Sequence, residues 1–533
     1  MKITMMFRSK KANQPDISKL KSINEKIIAE NELLRNANVN LQAQIDALQE
    51  QYLKALEKIK WLEEQYKLGQ NRQFGKQSET SHSLNLSLFD DNEADEVIEA
   101  VEPIDDETEQ VTYSRKKRKG SKRKIDTSRL PKETVVHDLS EEEKRCADCA
   151  AEMHQIGEDR SEKIDFIPAQ LKVIEHITPQ YACKACATMK AAKKPESPIQ
   201  KSMATTHLIV DVILKKYDEH LPLYRQSKIL ERDGIIIPDN TLGNWVMGAA
   251  EVLSPLGEAL WSQVAASSYV QADETTVKIL YPDKKGYMWV YQGLDPGNCF
   301  VMFEFALTRS GKIPENRLHS FSGLLQTDGY SGYTKLGKQE NITHLGCWDH
   351  ARRKFVDADK VCANKGKGIA SEFIKSIAKL YKIEREIKQA SDGKRYQARQ
   401  DRSQASLDKL FQKAKKINAP PKSSLGIAIT YLKNNEQELR NYINYGKAHI
   451  SNCLTENIIR PFALGRKNWL FVGNEASANR SGLLYSLIQT CKINKVNVRK
   501  YLTHVLNQAH AMRRGEVDPI TLLPQFIDPE ILE

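Results

Sequence analysis

The chain has 533 residues, more than a single hydrophobic core can hold, and a formal net charge of +11, so several domains are expected. A hydrophobic share of 40% is ordinary; no run of about 18 apolar residues is present to span a bilayer, and the opening MKITMMFRSKKANQPD lacks the apolar stretch of a secretory signal, which points to the cytoplasm and away from membranes. Residues 90–109 hold eleven acids and no base, leaving the remainder strongly basic, as binding to a phosphate backbone requires.

From residue 20 to 66 a heptad runs through Leu20, Ile27, Leu34, Leu41, Leu48, Ala55 and Leu62, with Asn24, Asn31, Asn38, Ile45, Tyr52, Ile59 and Tyr66 on the second seam position. A repeat sustained this long predicts a coiled coil over 17–79 and a homo-oligomer through residues 20–66, with the seam asparagines fixing register. The competing reading is a long helix folded against its own protein. Residues 80–125 are polar, then acidic, then basic, ending in SRKKRKGSKRK. Such a linker is read equally as a phosphate-contacting arm and as a solvated partner of its own acidic run.

In the next segment, 126–192, Cys146, Cys149, Cys183 and Cys186 form two C-x-x-C pairs separated by 33 residues, of which KIDFIPAQLKVIEHITPQYA reads as strands. Two such knuckles place four thiolates for a closed tetrahedral site, so a zinc ribbon with structural Zn²⁺ is expected. The other five cysteines read as buried small apolar residues. Residues 200–255 read as a helix-turn-helix DNA-binding unit, with a turn at Asp233-Gly234, Asp239 or Asn240 as N-cap, and a second helix suited to a major groove.

A meander of strands follows in SYVQADETTVKIL, GYMWVYQGL and NCFVMFEFAL, then the shorter runs GLLQTD and THLGCW. With helices between them they predict a mixed α/β sheet over 262–478. It is interrupted by a charged helical insertion over 360–447, and a helical module over 479–533 completes the chain. Strand alternation sends Asp273 and Glu274 to opposite faces. Asp273, Asp328 at the end of GLLQTD and Glu456 in LTENIIRPFALGRKNWLF have the chemistry of a two-metal phosphoryl-transfer site, because hard cations take oxygen ligands and neutralise an acid set inside a strand. The bland reading is turn-capping and helix-start acids.

The order of coil, FGKQSE, IPAQLKVIEHITPQYACKAC, QADET, LQTDGYSGY, CWDHARRKF and ENIIRPFALGRKNWLF resembles the insertion sequence 66 family of bacterial DDE transposases over nearly the whole chain. The resemblance implies a multidomain α/β protein with a ribonuclease H-like catalytic core. The catalytic, Mg²⁺-binding (or Mn²⁺-binding) trio carries over onto Asp273, Asp328 and Glu456, with Glu274 left at the surface or as an outer partner, so that Glu274→Gln is expected to be mild. It further implies a nucleoid-associated enzyme that binds the terminal inverted repeats of a mobile element, frees a 3′ end and joins it to target DNA, with small accessory proteins of the same element as partners. Two departures stand near the trio: Ser451, Asn452 and Cys453 replace an Asp-Asn-Asn run, and Asp349 replaces a small residue.

Around these acids, Arg460, Arg466 and Lys467 on the helix after Glu456, and Arg352 and Arg353 after CWDH, are candidates to hold DNA phosphates. A solvated basic face is their alternative. His350 fits the same strand path; as a ligand it suits Mg²⁺ poorly. The rival function is a DNA-binding regulator whose α/β domain is catalytically silent.

Overall fold

The computed structural model describes residues 17–74, 171–182, 189–191, 196–362 and 366–532. The linker and all four ribbon cysteines lie outside the described residues. The chain divides into two units, 103–194 and the rest. In the smaller unit the described residues include one antiparallel pair, β1 (Gln180–Ala182) and β2 (Met189–Ala191).

The larger unit opens with α1 (Ile17–Phe74), 58 residues of helix. Its Leu, Lys, Glu, Gln and Ala content favours helix at nearly every position, and it holds no proline. The heptad leucines Leu34, Leu41, Leu48 and Leu62 are exposed; Leu48, for instance, keeps 64% of its surface. Near its C-terminal end Glu64 accepts hydrogen bonds from the backbone N–H and hydroxyl of Ser424, at 2.8 and 2.9 Å.

Next come α2 (Thr206–Tyr217), α3 (Leu223–Arg232), α4 (Asp239–Val252) and α5 (Ser254–Ala266). Gly234, at φ 93°, makes the expected turn between α3 and α4, a conformation open to glycine at no steric cost. The expected cap of α4 is corrected: the N-cap position falls on Pro238, and Asp239, already helical, spends its carboxylate on the Asn240 N–H at 2.9 Å. These helices do not form a separate core. Tyr217 of α2 meets Tyr485 edge-to-face at 5.0 Å and hydrogen-bonds Ser481, placing α2 in one apolar cluster with the sheet.

That sheet is mixed, as its pattern predicted. β3 (Tyr269–Tyr281), β4 (Lys284–Asp295) and β5 (Asn298–Ala306) are the antiparallel meander; after α6 (Lys312–Arg317) come β6 (Gly323–Gln326) and β7 (Ile342–Leu345), parallel to β3. The order is β5-β4-β3-β6-β7. β6 pairs with β3 only at Tyr269–Gln271, whereas the later β8 (Val472–Asn474) pairs with it only from Ile279 onward. Along 272–278 the edge of β3 is therefore open, and the acids sit beside that opening.

A second apolar cluster is built by α7 (Trp348–Val361), α8 (Ile369–Glu386), α10 (Gln404–Lys416), α11 (Ser424–Asn434) and α12 (Glu436–Asn441), whereas α9 (Asp392–Ala398) contributes no buried residue. α8 to α12 fall within 360–447, the segment read as a helical insertion, while α7 precedes it and packs against it, Phe355 stacking on Phe373 at 4.6 Å. Fully buried Arg399 is matched by Glu384 at 2.6 Å and by the carbonyls of Tyr445 and Ala448 at 2.7 and 2.8 Å, the partners a buried guanidinium needs.

The chain then returns through α13 (Cys453–Trp469) to β8, α14 (Glu475–Ile493), α15 (Val498–Asn507) and α16 (Ala509–Arg513). Leu470 ends α13 at positive φ, 65°, in a γ-turn that brings the Phe471 N–H to the Trp469 carbonyl at 2.8 Å, with its own N–H on the Arg466 carbonyl at 2.8 Å. α14 closes the β5 edge: the N–H groups of Val301, Phe303 and Phe305 donate to Thr490, Ser486 and Asn479 at 3.1, 2.8 and 3.3 Å. An exposed edge is a template for aggregation, and here helix side chains satisfy it. Phe462 of α13 packs on Tyr485 at 5.2 Å and is fully buried; truncating it to alanine would cost about 3–5 kcal/mol. No described helix is long and apolar enough to cross a membrane.

Candidate active site

Asp328 lies just beyond the C-terminal end of β6. Its side chain accepts from the Tyr330 N–H at 2.8 Å, its carbonyl takes the Tyr431 hydroxyl at 2.7 Å, and Gly329 turns the chain at φ 83°. A side chain at Gly329 would approach the Tyr431 hydroxyl to 2.9 Å, so both conformation and space call for glycine there. Asp273 sits on β3 next to the open edge, with one carboxylate oxygen on the Glu274 N–H at 2.8 Å.

Glu274 does not behave as strand parity predicted. Oxygens of Asp273, Glu274 and Asp328 all lie within 4.8 Å of one another, and the Glu274 side chain, 1% exposed, is not at the surface. The β3–β4 register has no bulge, so the Cα directions do alternate. The open edge accounts for the convergence, since no neighbouring strand fills the space around 272–278 and a glutamate is long enough to turn into it. There Arg309 Nε donates to Glu274 at 2.6 Å and the Tyr333 hydroxyl at 3.1 Å. Arg309 itself lies over the Tyr330 ring, 3.8 Å from its centre.

Burial, then the charges of Asp328, Glu274 and Glu456, push Asp273 well above the usual carboxylate range. Asp328 and Glu274 are raised as well, in each case first by burial. The donor set is all oxygen, half-buried and mutually repelling. A hard divalent cation suits such a set, because its charge removes the repulsion that the side chains impose on one another.

Glu456 stands in the first turn of α13, outside that group of three. One oxygen is paired with Arg353 and the other lies 3.6 Å from His350 Nδ1. Burial raises its carboxyl to about 7 against the opposing pull of Arg353, with Asp328 adding to the rise, and its charge in turn raises Asp273.

A buried amide network ties α13 to the strands. Gln271 donates to Gln326 at 2.7 Å and to the Ser451 carbonyl at 3.1 Å; Gln326 donates to the carbonyls of Gly346 and His449 at 3.1 and 2.9 Å; the Tyr269 hydroxyl donates to Gln326 at 2.5 Å. Thr455, beside Glu456, lies 3.2 Å from Gln271 and 3.1 Å from Gln292. Both glutamines of QADET and LQTD are fully buried. These residues were not singled out from the sequence; glutamine two positions before each aspartate was the signal.

The candidate phosphate-binding residues fall in different settings. Arg460 is one turn beyond Glu456, and its Nε and Nη2 are buried with no hydrogen-bond partner among the described residues. Lys467 is exposed. Arg466 reaches the hydroxyl of Thr275 at 3.0 Å and also the Thr276 carbonyl, strapping α13 to β3. Arg353 is engaged by Glu456, and Arg352 is buried. Of the two departures, Asn452 is fully buried with its side-chain amide unpartnered, and Asp349 is fully buried with the Tyr381 hydroxyl on one oxygen. Cys347 and Cys491 are buried, as expected; Cys299 and Cys453 are only partly so, and the expectation is corrected at Cys362, which the end of α7 leaves exposed.

Comparison with known families agrees with this layout. The pattern described as "Transposase IS66 family" matches residues 201–480, "zinc-finger binding domain of transposase IS66" matches 143–187, and "Transposase C of IS166 homeodomain" matches 61–135. The uncharacterized protein y4jD of Sinorhizobium fredii is 33% identical over 71% of this chain and 77% of its own length. A second uncharacterized protein of that organism, y4qI, is 31% identical over 72% of this chain and 74% of its own. The chain belongs to the insertion sequence 66 family of transposases.

Proposed function

We propose that this transposase binds the terminal inverted repeats of its element, cleaves at the 3′ ends and transfers the freed ends into target DNA, using Asp273, Asp328 and Glu456. The observation that carries the proposal is the convergence of Asp273 and Asp328 at the open edge of a mixed sheet. The strand order supports a ribonuclease H-like reading of that sheet, with the helices of 360–447 inserted between β7 and α13.

Asp273 and Asp328 would hold Mg²⁺ or Mn²⁺, joined by Glu456 once its oxygens leave Arg353 and His350. Such an ion supplies the Lewis acidity that activates an attacking oxygen and stabilises a leaving one. The chain's own part is placement. Gln271, Gln326 and Thr455 fix α13 against β3 and β6, so the carboxylates share one frame, and Arg460, half-buried one turn beyond Glu456, would meet a DNA phosphate once its side chain turns outward.

For the accessory segments, the exposed leucines of α1 support self-association as a coiled coil, and the zinc-finger match over 143–187 includes Cys146, Cys149, Cys183 and Cys186. In α3, Arg225, Lys228 and Arg232 are exposed, and in α4, Asn240 and Asn244. That distribution suits a first helix on phosphates and a second on base edges.

The test is purified full chain with DNA carrying the element's ends and Mg²⁺ or Mn²⁺. Cleavage and joining by the wild type, with Asp273→Ala binding DNA but not reacting, is the expected result; strand transfer retained in Asp273→Ala removes the central claim. The silent-regulator reading draws on one observation, the position of Glu456 outside the Asp273 group. Specific binding with no cleavage under any divalent ion would select it.

A further inference from the structure

We propose that Cys347, His350 and Glu456 form a second metal site, softer than the first, which takes a zinc-class divalent ion. The Cys347 sulfur, a His350 ring nitrogen and a Glu456 oxygen lie within 4.8 Å of one another. Ligands around a tetrahedral zinc are roughly 3.3–3.8 Å apart, given bonds of about 2.0–2.3 Å, so a small contraction closes the set.

Two unpartnered atoms favour a ligand here over simple packing. His350 Nδ1 and Glu456 Oε1 face each other at 3.6 Å, and both are buried without a hydrogen bond. Buried polar atoms are nearly always partnered, and a cation between them would satisfy both. Glu456 Oε2 is committed to Arg353, which leaves Oε1 as the coordinating oxygen. Cys347 is fully buried at the start of α7, within the same 4.8 Å group as the two unpartnered atoms; without an ion, burial and the charges of Asp349 and Glu456 hold it as the thiol, so binding of the metal releases its proton. The C-x-x-H spacing sets the imidazole one helical turn from the sulfur. Sulfur, nitrogen and oxygen together select zinc over Mg²⁺.

The site shares Glu456 with the proposed catalytic trio, so a zinc-class ion held there competes with completion of the hard site. That consequence rests on the catalytic reading of Glu456; the metal site does not.

The full chain is loaded with Zn²⁺, dialysed against buffer containing Mg²⁺, and its metal content measured by plasma mass spectrometry. Cys347→Ser and His350→Gln, each checked for folding by circular dichroism, should each retain one zinc fewer per chain than the wild type; equal content in all three overturns the proposal. Zinc-edge X-ray absorption of the wild type gives a second readout that needs no variant. A shell mixing sulfur with nitrogen or oxygen is expected, and an all-sulfur shell near 2.3 Å, as in a four-cysteine site, overturns it. Neither readout depends on DNA cleavage. Failure of Mg²⁺-dependent cleavage with zinc still lost in the variants would sink the transposition reading and leave this site standing.

Discussion

Two glutamates stand beside the same pair of aspartates, and each is held by an arginine, yet they have opposite surroundings. Glu274 is in an all-oxygen set with Asp273 and Asp328, and the Arg309 that closes it is 42% exposed. Glu456 is in a set with sulfur and nitrogen, and its Arg353 is 29% exposed. Glu274 is adjacent to Asp273 on one strand, whereas Glu456 is carried on a separate helix. On the proposed reading the difference separates a rigid part of the site from an adjustable one: Glu274 is fixed by its strand beside Asp273, while Glu456 would exchange Arg353 and His350 for a metal ion.

The largest expected effect tests the rigid part. Asp273→Asn should lower cleavage and joining by about 10³-fold or more, equivalent to ~4 kcal/mol of lost transition-state stabilisation, while binding to end DNA stays within about twofold. Single-turnover cleavage beside a mobility-shift titration reads both. Glu274→Gln comes next and is no longer expected to be mild. As a member of the oxygen cluster it should weaken divalent-ion binding by about 10–100-fold, and Arg309→Met should act in the same direction through it. Mn²⁺ titration by calorimetry checks this, and wild-type affinity in Glu274→Gln would return that residue to an outer role.

The adjustable part is tested by Arg353→Met. Removing one partner of a buried ion pair costs about 3–5 kcal/mol; with Arg353 partly exposed, about 1–2 kcal/mol is expected after solvent screening. The loss should be read in EDTA by chemical denaturation, and Mn²⁺ should recover more of it in the variant than it adds to the wild type, because Glu456 is then free to take the ion. Equal gains from Mn²⁺ in both proteins would argue that Arg353 does not restrain Glu456.

Much of this arrangement was legible in the sequence. The switch from heptad to alternating pattern marked the long helix and the meander, and GLLQTDG announced a short buried strand ending in an acid and a glycine turn. Glu274 was misplaced because parity describes where a side chain leaves the backbone, and the gap between β6 and β8, set by two pairings some 150 residues apart in the chain, decides where it can go. Arg309 is 35 residues from Glu274, in a loop with no pattern of its own. The expected boundary at 478/479 cut through α14, because Asn479, Ser486 and Thr490 look like ordinary helix polar residues until β5 presents its N–H groups to them.

The smallest effect concerns two histidines beneath the site. Burial pushes both His344 and His449 down to about 4 from an ordinary 6.5. His344 bonds Thr327, next to Asp328, at 2.9 Å, and the backbone N–H of His449 donates to the Tyr269 hydroxyl at 3.2 Å while its ring stacks on that of Tyr269. In the unfolded chain each imidazole takes up a proton near 6.5, whereas in the folded protein it does so only near 4. Between those values the unfolded state binds more protons, so the stability that each neutral ring contributes is present above about 6.5 and is lost as pH falls toward 4. The raised carboxylates act in the opposite sense, since Glu456, raised to about 7 from 4.5, is stabilising while protonated and loses that contribution as pH rises through 7. The net pH profile is therefore shallow, and a difference measurement isolates the histidine. His344→Gln keeps a polar partner for Thr327 and removes the titration. Its melting temperature relative to the wild type should rise steadily from pH 7 to pH 4, and a constant difference across that window would mean that His344 is not held neutral in the fold.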